Sequence, residues 1–279
     1  EKGFLKATNL NQFSFGLMWA NHDWLHIHPM KYKTAPQLLA SGVFSPEAFE
    51  RATDHIAETY FSCPSYWKLE GKAYFSIYEL DKLLESLGGV DNTRKALERF
   101  DAKARVAGLQ GVHLNAVVWK IPILPGESVV SDPDDLLKRL GFASTTSYVW
   151  VHHDWPQSFP TAPYMEMAQR ARERWPKLAS EHTLPYFPNV TMGWDPSPRA
   201  CQSDVYDNLG YPYGFILDGN TPGAFKEALL SVREYLETRP EHQRIFTINA
   251  WNEWTEGSYL EPDTVHGMAY LEAIRQVFG

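Results

Sequence analysis

The sequence predicts an α/β chain of the (β/α)₈, TIM-barrel kind in which the first two βα units are absent. Three observations predict it. Short apolar, β-prone runs alternate with helix-patterned segments along the whole chain. Six such strand–helix pairs can be counted, two short of a full barrel. The six strand ends read WANHDW, IYEL, VVWK, SYVWVHHDW, NVTMGWDPSPR and NAWNEWTEG, and every one carries aromatic and polar groups together. An open doubly wound sheet places its site at one switch point, whereas a barrel uses nearly all of its strand ends.

The strand-like runs, in order, are Phe13–Ala20, Ala73–Tyr78, Val112–Val118, Ala143–Tyr148, Pro185–Thr191 and Ile245–Ala250. Ser45-Pro46 starts a helix carrying the Phe49, Ala52, Ile56, Tyr60 stripe, because a serine cap followed by proline satisfies the first turn. Thr221-Pro222 does the same before Phe225, Leu229, Val232 and Leu236. The last helix, Gly267 to Phe278, sets Met268, Leu271, Ile274 and Val277 on one side. Neither a linker nor a short-period repeat interrupts the pattern, so residues 1–279 are expected to form a single catalytic barrel domain.

Composition narrows the function. With 279 residues and 44% hydrophobic content the chain can bury a large core. A formal charge of −8 disfavours nucleic acid or an anionic membrane as partner, since either needs a basic face. No run approaches the ~18 apolar residues of a membrane span. Cys63 and Cys201 are expected to be free thiols. The chain opens at Glu1 without a methionine, so a leader could precede it. Aromatic residues make up 14% of the chain, with ten tryptophans, and aromatic rings are the usual stacking surface for flat apolar ligand faces.

The segment Ile245–Asp263, IFTINAWNEWTEGSYLEPD, changes abruptly from a buried-strand pattern to tryptophans and carboxylic acids. Glycosidic cleavage needs a proton for the leaving oxygen and a second carboxylate near the anomeric carbon. Glu253 and Glu256, three apart, face the same way if the segment after the strand makes one helical turn. Repulsion between them and burial under Trp251 and Trp254 are expected to raise one pKa and leave an acid beside a base. An E-x-x-E spacing by itself is usually a solvated helix face; Asn249, Trp251, Asn252 and Trp254 around it argue otherwise.

NAWNEWTEGSYLEPD resembles the signature of glycoside hydrolase family 99 and of the related WbsX-like proteins of polysaccharide gene clusters, and FGLMWANHDW resembles their upstream segment. The resemblance runs from about Phe13 to the end of the chain. It implies a (β/α)₈ barrel that cleaves α-linked, mannose-type glycans with retention and without a metal or other cofactor. It further implies that Glu253 deprotonates the sugar 2-hydroxyl to form a 1,2-anhydro intermediate and that Glu256 is the acid/base. Thr255 stands where the hydrolases usually carry histidine, which brings the match closer to the WbsX-like branch. An oligo- or polysaccharide is the expected partner, and an extracellular or periplasmic location suits a glycan-degrading enzyme.

Other strand ends supply further candidates. His22 and His26 have i,i+4 spacing, with Asp23, His28, His152, His153 and Asp154 as additional potential metal ligands. After a barrel strand the chain is expected to be loop, which removes that ligand geometry, so no metal is assigned. Asn21, His22 and His153 are instead read as hydrogen-bonding to sugar hydroxyls, and Trp19 and Trp24 as stacking on sugar faces, with core packing as the alternative for the tryptophans. Trp194, Asp195 and Arg199 follow the fifth strand, where Asp195 and Arg199 could orient a hydroxyl, steady a developing charge or form a turn salt bridge. Tyr148 ends the fourth strand, and Tyr259 flanks the acidic pair. Two alternatives to a hydrolase use the same residues: a WbsX-like glycosyltransferase or transglycosylase that excludes water, and a non-catalytic carbohydrate-binding barrel. Nothing in the sequence resembles a nucleotide-phosphate cradle.

Overall fold

The computed structural model describes residues 1–118, 132–202 and 205–279. Their contacts divide the chain into two compact units, Glu1–Asp23 with Ser41–Thr145 and Trp24–Ala40 with Thr146–Gly279.

In the first unit, strands Leu17–Trp19, Lys72–Ile77 and Val112–Val117 lie side by side and parallel, Leu17 opposite Phe75 and Phe75 opposite Leu114. The two longer strands are buried almost throughout, as strands covered on both faces must be. Polar side chains at matching positions join neighbouring strands: Ser76 Oγ donates to Asn115 Oδ1 (2.9 Å), and Asn115 Nδ2 donates to Ser144 Oγ (2.8 Å). Each buried polar group in this row therefore has a partner. Helices α1 (Pro46–Ile56), α2 (Leu80–Leu87) and α3 (Val90–Val106) supply the apolar cover, with Phe100 of α3 packed against Phe49, Phe61 and Phe75. Ser45 caps α1 by accepting from Ala48 N, and α2 stops at Gly88, whose φ of 77° is the left-handed conformation that suits glycine. α4 (Pro133–Arg139) begins at Asp132, whose carboxylate accepts from Asp135 N.

In the second unit the fifth predicted strand divides into Tyr186–Phe187 and Asn189–Thr191, because Pro188 between them has no N–H to give a ladder. Asn189–Thr191 runs parallel to Thr247–Asn249, Thr191 opposite Asn249. α5 (Tyr164–Glu181), α6 (Pro222–Glu237) and α7 (Ala269–Phe278) complete the unit, α6 lying against both α5 and α7. The sequence count of six strands falls short here: Ile216–Asp218, ahead of α6, and its parallel partner Thr161–Pro163 are further strands. Each run is too short to show a period of two. Trp24–His26 pairs antiparallel with Gln37–Ala40, so His26 sits on a strand and helical i,i+4 spacing does not apply to it. Trp119 and Lys120, the expected end of the third strand, lie outside the described residues. Among the described residues no helix is long and apolar enough to cross a membrane.

The Thr221 cap of α6 offers a direct check on the helix-start reading, since Thr221 Oγ1 accepts from Ala224 N at 3.2 Å. Thr221→Ala should cost about 1 kcal/mol and lower the melting temperature by roughly 2–4 °C in a circular-dichroism melt, while Thr221→Ser leaves it nearly unchanged.

Candidate active site

The site grows out of strand Thr247–Asn249. Asn249 is 3% exposed, its carbonyl accepts from Met192 N (2.9 Å), and Ser258 Oγ lies 2.9 Å from that carbonyl and 2.8 Å from Asn249 Oδ1. These contacts tie the strand end to residues nine positions later. Between them the chain forms a small hairpin: Asn252–Glu253 pairs antiparallel with Ser258–Tyr259, and Trp254–Glu256 makes one 3₁₀ turn. Gly257 closes the turn at φ +59°. A Cβ there would lie 2.7 Å from Asp195 Cβ, and one on Gly193 would lie 2.4 Å from the Gly257 carbonyl. Both glycines are therefore required by close approach of two backbones. Asp195 N donates to the Glu256 carbonyl at 2.5 Å across this contact.

The turn does bring the two glutamates to one side, and what joins them is Arg199. Its Nη2 is 3.1 Å from Glu253 Oε2 and its Nη1 is 3.0 Å from Glu256 Oε1. Its Nε donates to Thr255 Oγ1 at 2.9 Å. Tyr211 OH donates to Glu256 Oε1 at 2.8 Å and itself accepts from Arg199 Nη1. The guanidinium and Glu256 are largely buried, whereas Glu253 is half-exposed. A buried charge is tolerated only when paired and hydrogen-bonded, and here one cation serves two carboxylates.

Nearby groups feel these charges. Burial, then Glu256 and Glu253, pushes the Tyr148 phenol up to about 12, with Arg199 acting in the other direction. Burial and then Glu256 drive the Tyr211 phenol far above its ordinary value. Burial and then Arg199 lower the His28 imidazole, against an opposing pull from Glu253. Burial followed by Asp263 raises the Tyr259 phenol.

Several expectations need correction. Trp251 and Trp254 do not bury the carboxylates: they are 53% and 44% exposed. Trp254 lies flat on Tyr259, ring centroids 3.6 Å apart, with its Nε1–H donated to Glu261. The expected repulsion between two adjacent acids is offset by the guanidinium between them. Asp195 and Arg199 do not pair; Asp195 Oδ1 accepts from Ser197 N while Arg199 turns to the glutamates. His153 lines a small cavity with Asp154, Arg174 and Trp175, and burial followed by Arg174 lowers it to about 4. Trp194 is buried with its ring tilted toward Tyr211 (6.0 Å). Asn252 is exposed on the hairpin, and Trp24 is exposed on its own strand pair.

Trp19, Asn21 and His22 belong to the first unit. Trp19 stacks on Phe44 and Phe49, which also stack on each other, the core-packing alternative. Asn21 is buried and spends its whole amide on the Glu79 backbone, Nδ2 on the carbonyl and Oδ1 on the N–H. His22 Nδ1 lies 2.9 Å from the Asp23 carbonyl and its ring meets Tyr78 edge-on. Among the described residues no group of three His, Cys, Asp or Glu side chains is arranged to hold a metal ion.

The sequence reading missed Tyr211 and the direct part played by Thr255, and it weighed His28 only as a potential metal ligand. Nothing in NLGYPYGF marks Tyr211 as different from the tyrosines around it.

The chain is similar to several known proteins. The family described as "Glycosyltransferase WbsX" matches residues 2–274. Among curated proteins, the "Uncharacterized protein WxcX" of two Xanthomonas campestris pv. campestris strains, ATCC 33913 and B100, is 34% identical over 113 residues and 36% over 107, covering 40% and 38% of this chain and 14% of each relative. A solved "Glycoside hydrolase-like protein" superposes with a TM-score of 0.56 at 13% identity, over 84% of this chain and 61% of that one. The GH99 endo-alpha-mannosidase of Bacteroides thetaiotaomicron, solved with bis-tris propane, gives 0.50 at 14%, over 84% and 65%. The chain thus spans less than two thirds of these structures and a small part of the curated relatives. At such identity the likeness concerns the fold, which is the α/β TIM-type barrel class expected from the sequence.

The backbone contact at Gly257 can be tested against a control within the same segment. Gly267 also has positive φ (+56°), but nothing lies within 4 Å of its added Cβ. Gly267→Ala should cost about 1–2 kcal/mol for the left-handed backbone alone. Gly257→Ala must also push Asp195 aside, so chemical denaturation should show a distinctly larger loss.

Proposed function

Because the chain belongs to the WbsX glycosyltransferase family, we propose that it is a carbohydrate-active enzyme whose chemistry is that of a retaining glycoside hydrolase acting on α-linked, mannose-type glycans. The observation that carries this reading is the pair of glutamates on one 3₁₀ turn, joined through a single arginine at a strand end. The mannose assignment draws on the resemblance of the NAWNEWTEG segment and on the structural likeness to the Bacteroides endo-alpha-mannosidase.

In the reaction so proposed, Glu253 takes the proton of the sugar 2-hydroxyl as that oxygen closes on the anomeric carbon. The bond to the leaving oxygen breaks as Glu256 supplies its proton. Water then opens the 1,2-anhydro sugar, with Glu256 accepting the water's proton and Glu253 returning its own to the 2-oxygen. Two substitutions at the same carbon give net retention. Arg199 spans both carboxylates and so senses the charge of each as protons move. The exposed faces of Trp251 and Trp254 offer stacking surfaces beside the acids.

The family's description raises transfer from a sugar nucleotide as a second reading. The hairpin's charge opposes it: its cation, Arg199, is already engaged by Glu253, Glu256 and Tyr211 and is not left open to a diphosphate. Transfer from one glycan to another by the same carboxylates is compatible with this charge, and differs from hydrolysis only in whether water or a sugar hydroxyl opens the intermediate.

A panel of α-mannans and bacterial polysaccharides, with product analysis by mass spectrometry, tests the assignment. Glu256→Gln should lower turnover on unactivated glycans by about 10²–10⁴-fold while sparing substrates with an activated leaving group. Glu253→Gln should impair both kinds, because forming the anhydro ring needs its base whatever the leaving group. Near wild-type turnover by both variants on an unactivated glycan would remove these residues from the mechanism and return the carbohydrate-binding reading to first place.

A further inference from the structure

We propose that Tyr211 is a positioning residue for Glu256: it fixes the Glu256 carboxylate against Arg199 and thereby sets the proton affinity of the acid/base. The proposal deepens the hydrolase reading and rests on it for its kinetic consequence, though not for its physical test.

Three features hold Tyr211 where it is. Gly210 and Tyr213 form an isolated β-bridge, and the bracketed turn is anchored by Tyr213, which is 1% exposed and donates its hydroxyl to the Met30 carbonyl (2.9 Å). The Tyr211 ring meets buried Trp194 on one side and lies 5.6 Å from the Arg199 guanidinium carbon. Its hydroxyl then joins two groups, accepting from Arg199 Nη1 and donating to Glu256 Oε1 at 2.8 Å. Tyr211 is 41% exposed, yet its hydroxyl is held between Arg199 and one carboxylate oxygen.

The groups that face this oxygen come from several segments. Arg199 approaches from the 3₁₀ turn Ser197–Arg199, and Glu253 acts on the far side of the same guanidinium. Tyr148 lies two residues beyond strand Ser144–Thr146, close enough for both glutamates to act on its phenol, and His28 is close enough to feel both Arg199 and Glu253. Asp195 meets Glu256 through its backbone N–H, its carboxylate being engaged by Ser197 N. Within this set Arg199 and Tyr211 both contribute hydrogens to Oε1, and a donor to a carboxylate favours the ionised form. Removing the Tyr211 hydroxyl takes one of these donors away from Oε1 and weakens that preference. Glu256 should then hold its proton to higher pH.

The experiment is a ¹³C-carboxyl NMR titration of glutamate-labelled protein, the Glu256 resonance being assigned by its loss in Glu256→Gln, compared between wild type and Tyr211→Phe. The expected result is a Glu256 midpoint higher by about one pH unit in Tyr211→Phe, with an unchanged melting temperature. An unchanged midpoint overturns the proposal, because a tyrosine that only fills space would be replaced by phenylalanine without effect. Should Tyr211→Phe fail to fold, ¹³Cζ-tyrosine NMR of Glu256→Gln decides instead. The Tyr211 phenol must then ionise at lower pH than in wild type, and no difference overturns the proposal. If wild type cleaves glycans, Tyr211→Phe should lower kcat with KM little changed and move the Glu256 limb of the pH profile upward. If wild type cleaves none, the hydrolase reading fails while the titration still decides the role of Tyr211.

Discussion

The Arg199 guanidinium is the constraint on which the rest of the acidic hairpin depends. Two carboxylates three residues apart on a tight turn, one of them largely buried, would separate if nothing lay between them. A planar cation with donors on several edges can hold both at once, as an ammonium on a flexible stem cannot. Every edge of Arg199 is used: Nε on Thr255, Nη2 on Glu253, Nη1 on Glu256 and Tyr211. The spacing of the acids, the turn that presents them and the position of the residue between them are thus set by one side chain from a different segment.

That brace works only because the two segments approach at backbone distance. Gly193 and Gly257 face each other with no room for a Cβ on either, and the Asp195 N–H binds the Glu256 carbonyl across the gap. The strand behind the hairpin contributes its own anchor through Asn249 and Ser258, both buried. Asn249 Nδ2 has no partner among the described protein groups, an exception in a region where buried polar atoms are otherwise paired. Rigid backbone and shared cation together give the acids little freedom to reorganise, the condition under which charged groups act on a substrate without first having to move.

Much of the framework was legible because it rests on local rules. The buried strands show as apolar runs, and the caps at Ser45 and Thr221 show as a hydroxyl residue before proline. The E-x-x-E spacing correctly placed two acids on one side of a single turn. What was not legible depends on distance in the chain. Arg199 is 54 residues from Glu253, and Tyr211 is 45 from Glu256, so no window of sequence holds either pair. Trp19 and Asn21 misled for the converse reason: an aromatic and an amide at a strand end look the same whether they meet a sugar or, as here, Phe44, Phe49 and the Glu79 backbone. Strand Ile216–Asp218 was missed because three residues cannot display a period.

Thr255 shows how a single departure from a family pattern is absorbed. A histidine, usual at this position in the resembling hydrolases, would bring a ring with its own proton into the centre of the hairpin. Thr255 brings a hydroxyl that accepts the Arg199 Nε–H at 2.9 Å and adds no titrating group. The guanidinium is thereby turned edge-on to both glutamates, with Tyr211 completing the contacts to Glu256. An arginine and a phenol contact the acidic turn, and neither changes its own charge near neutral pH. In the proposed reaction the two carboxylates are the groups on the hairpin that exchange protons. This is the division of labour that a reaction passing a proton out of one acid and into another requires, and it does not depend on the histidine that the sequence lacks.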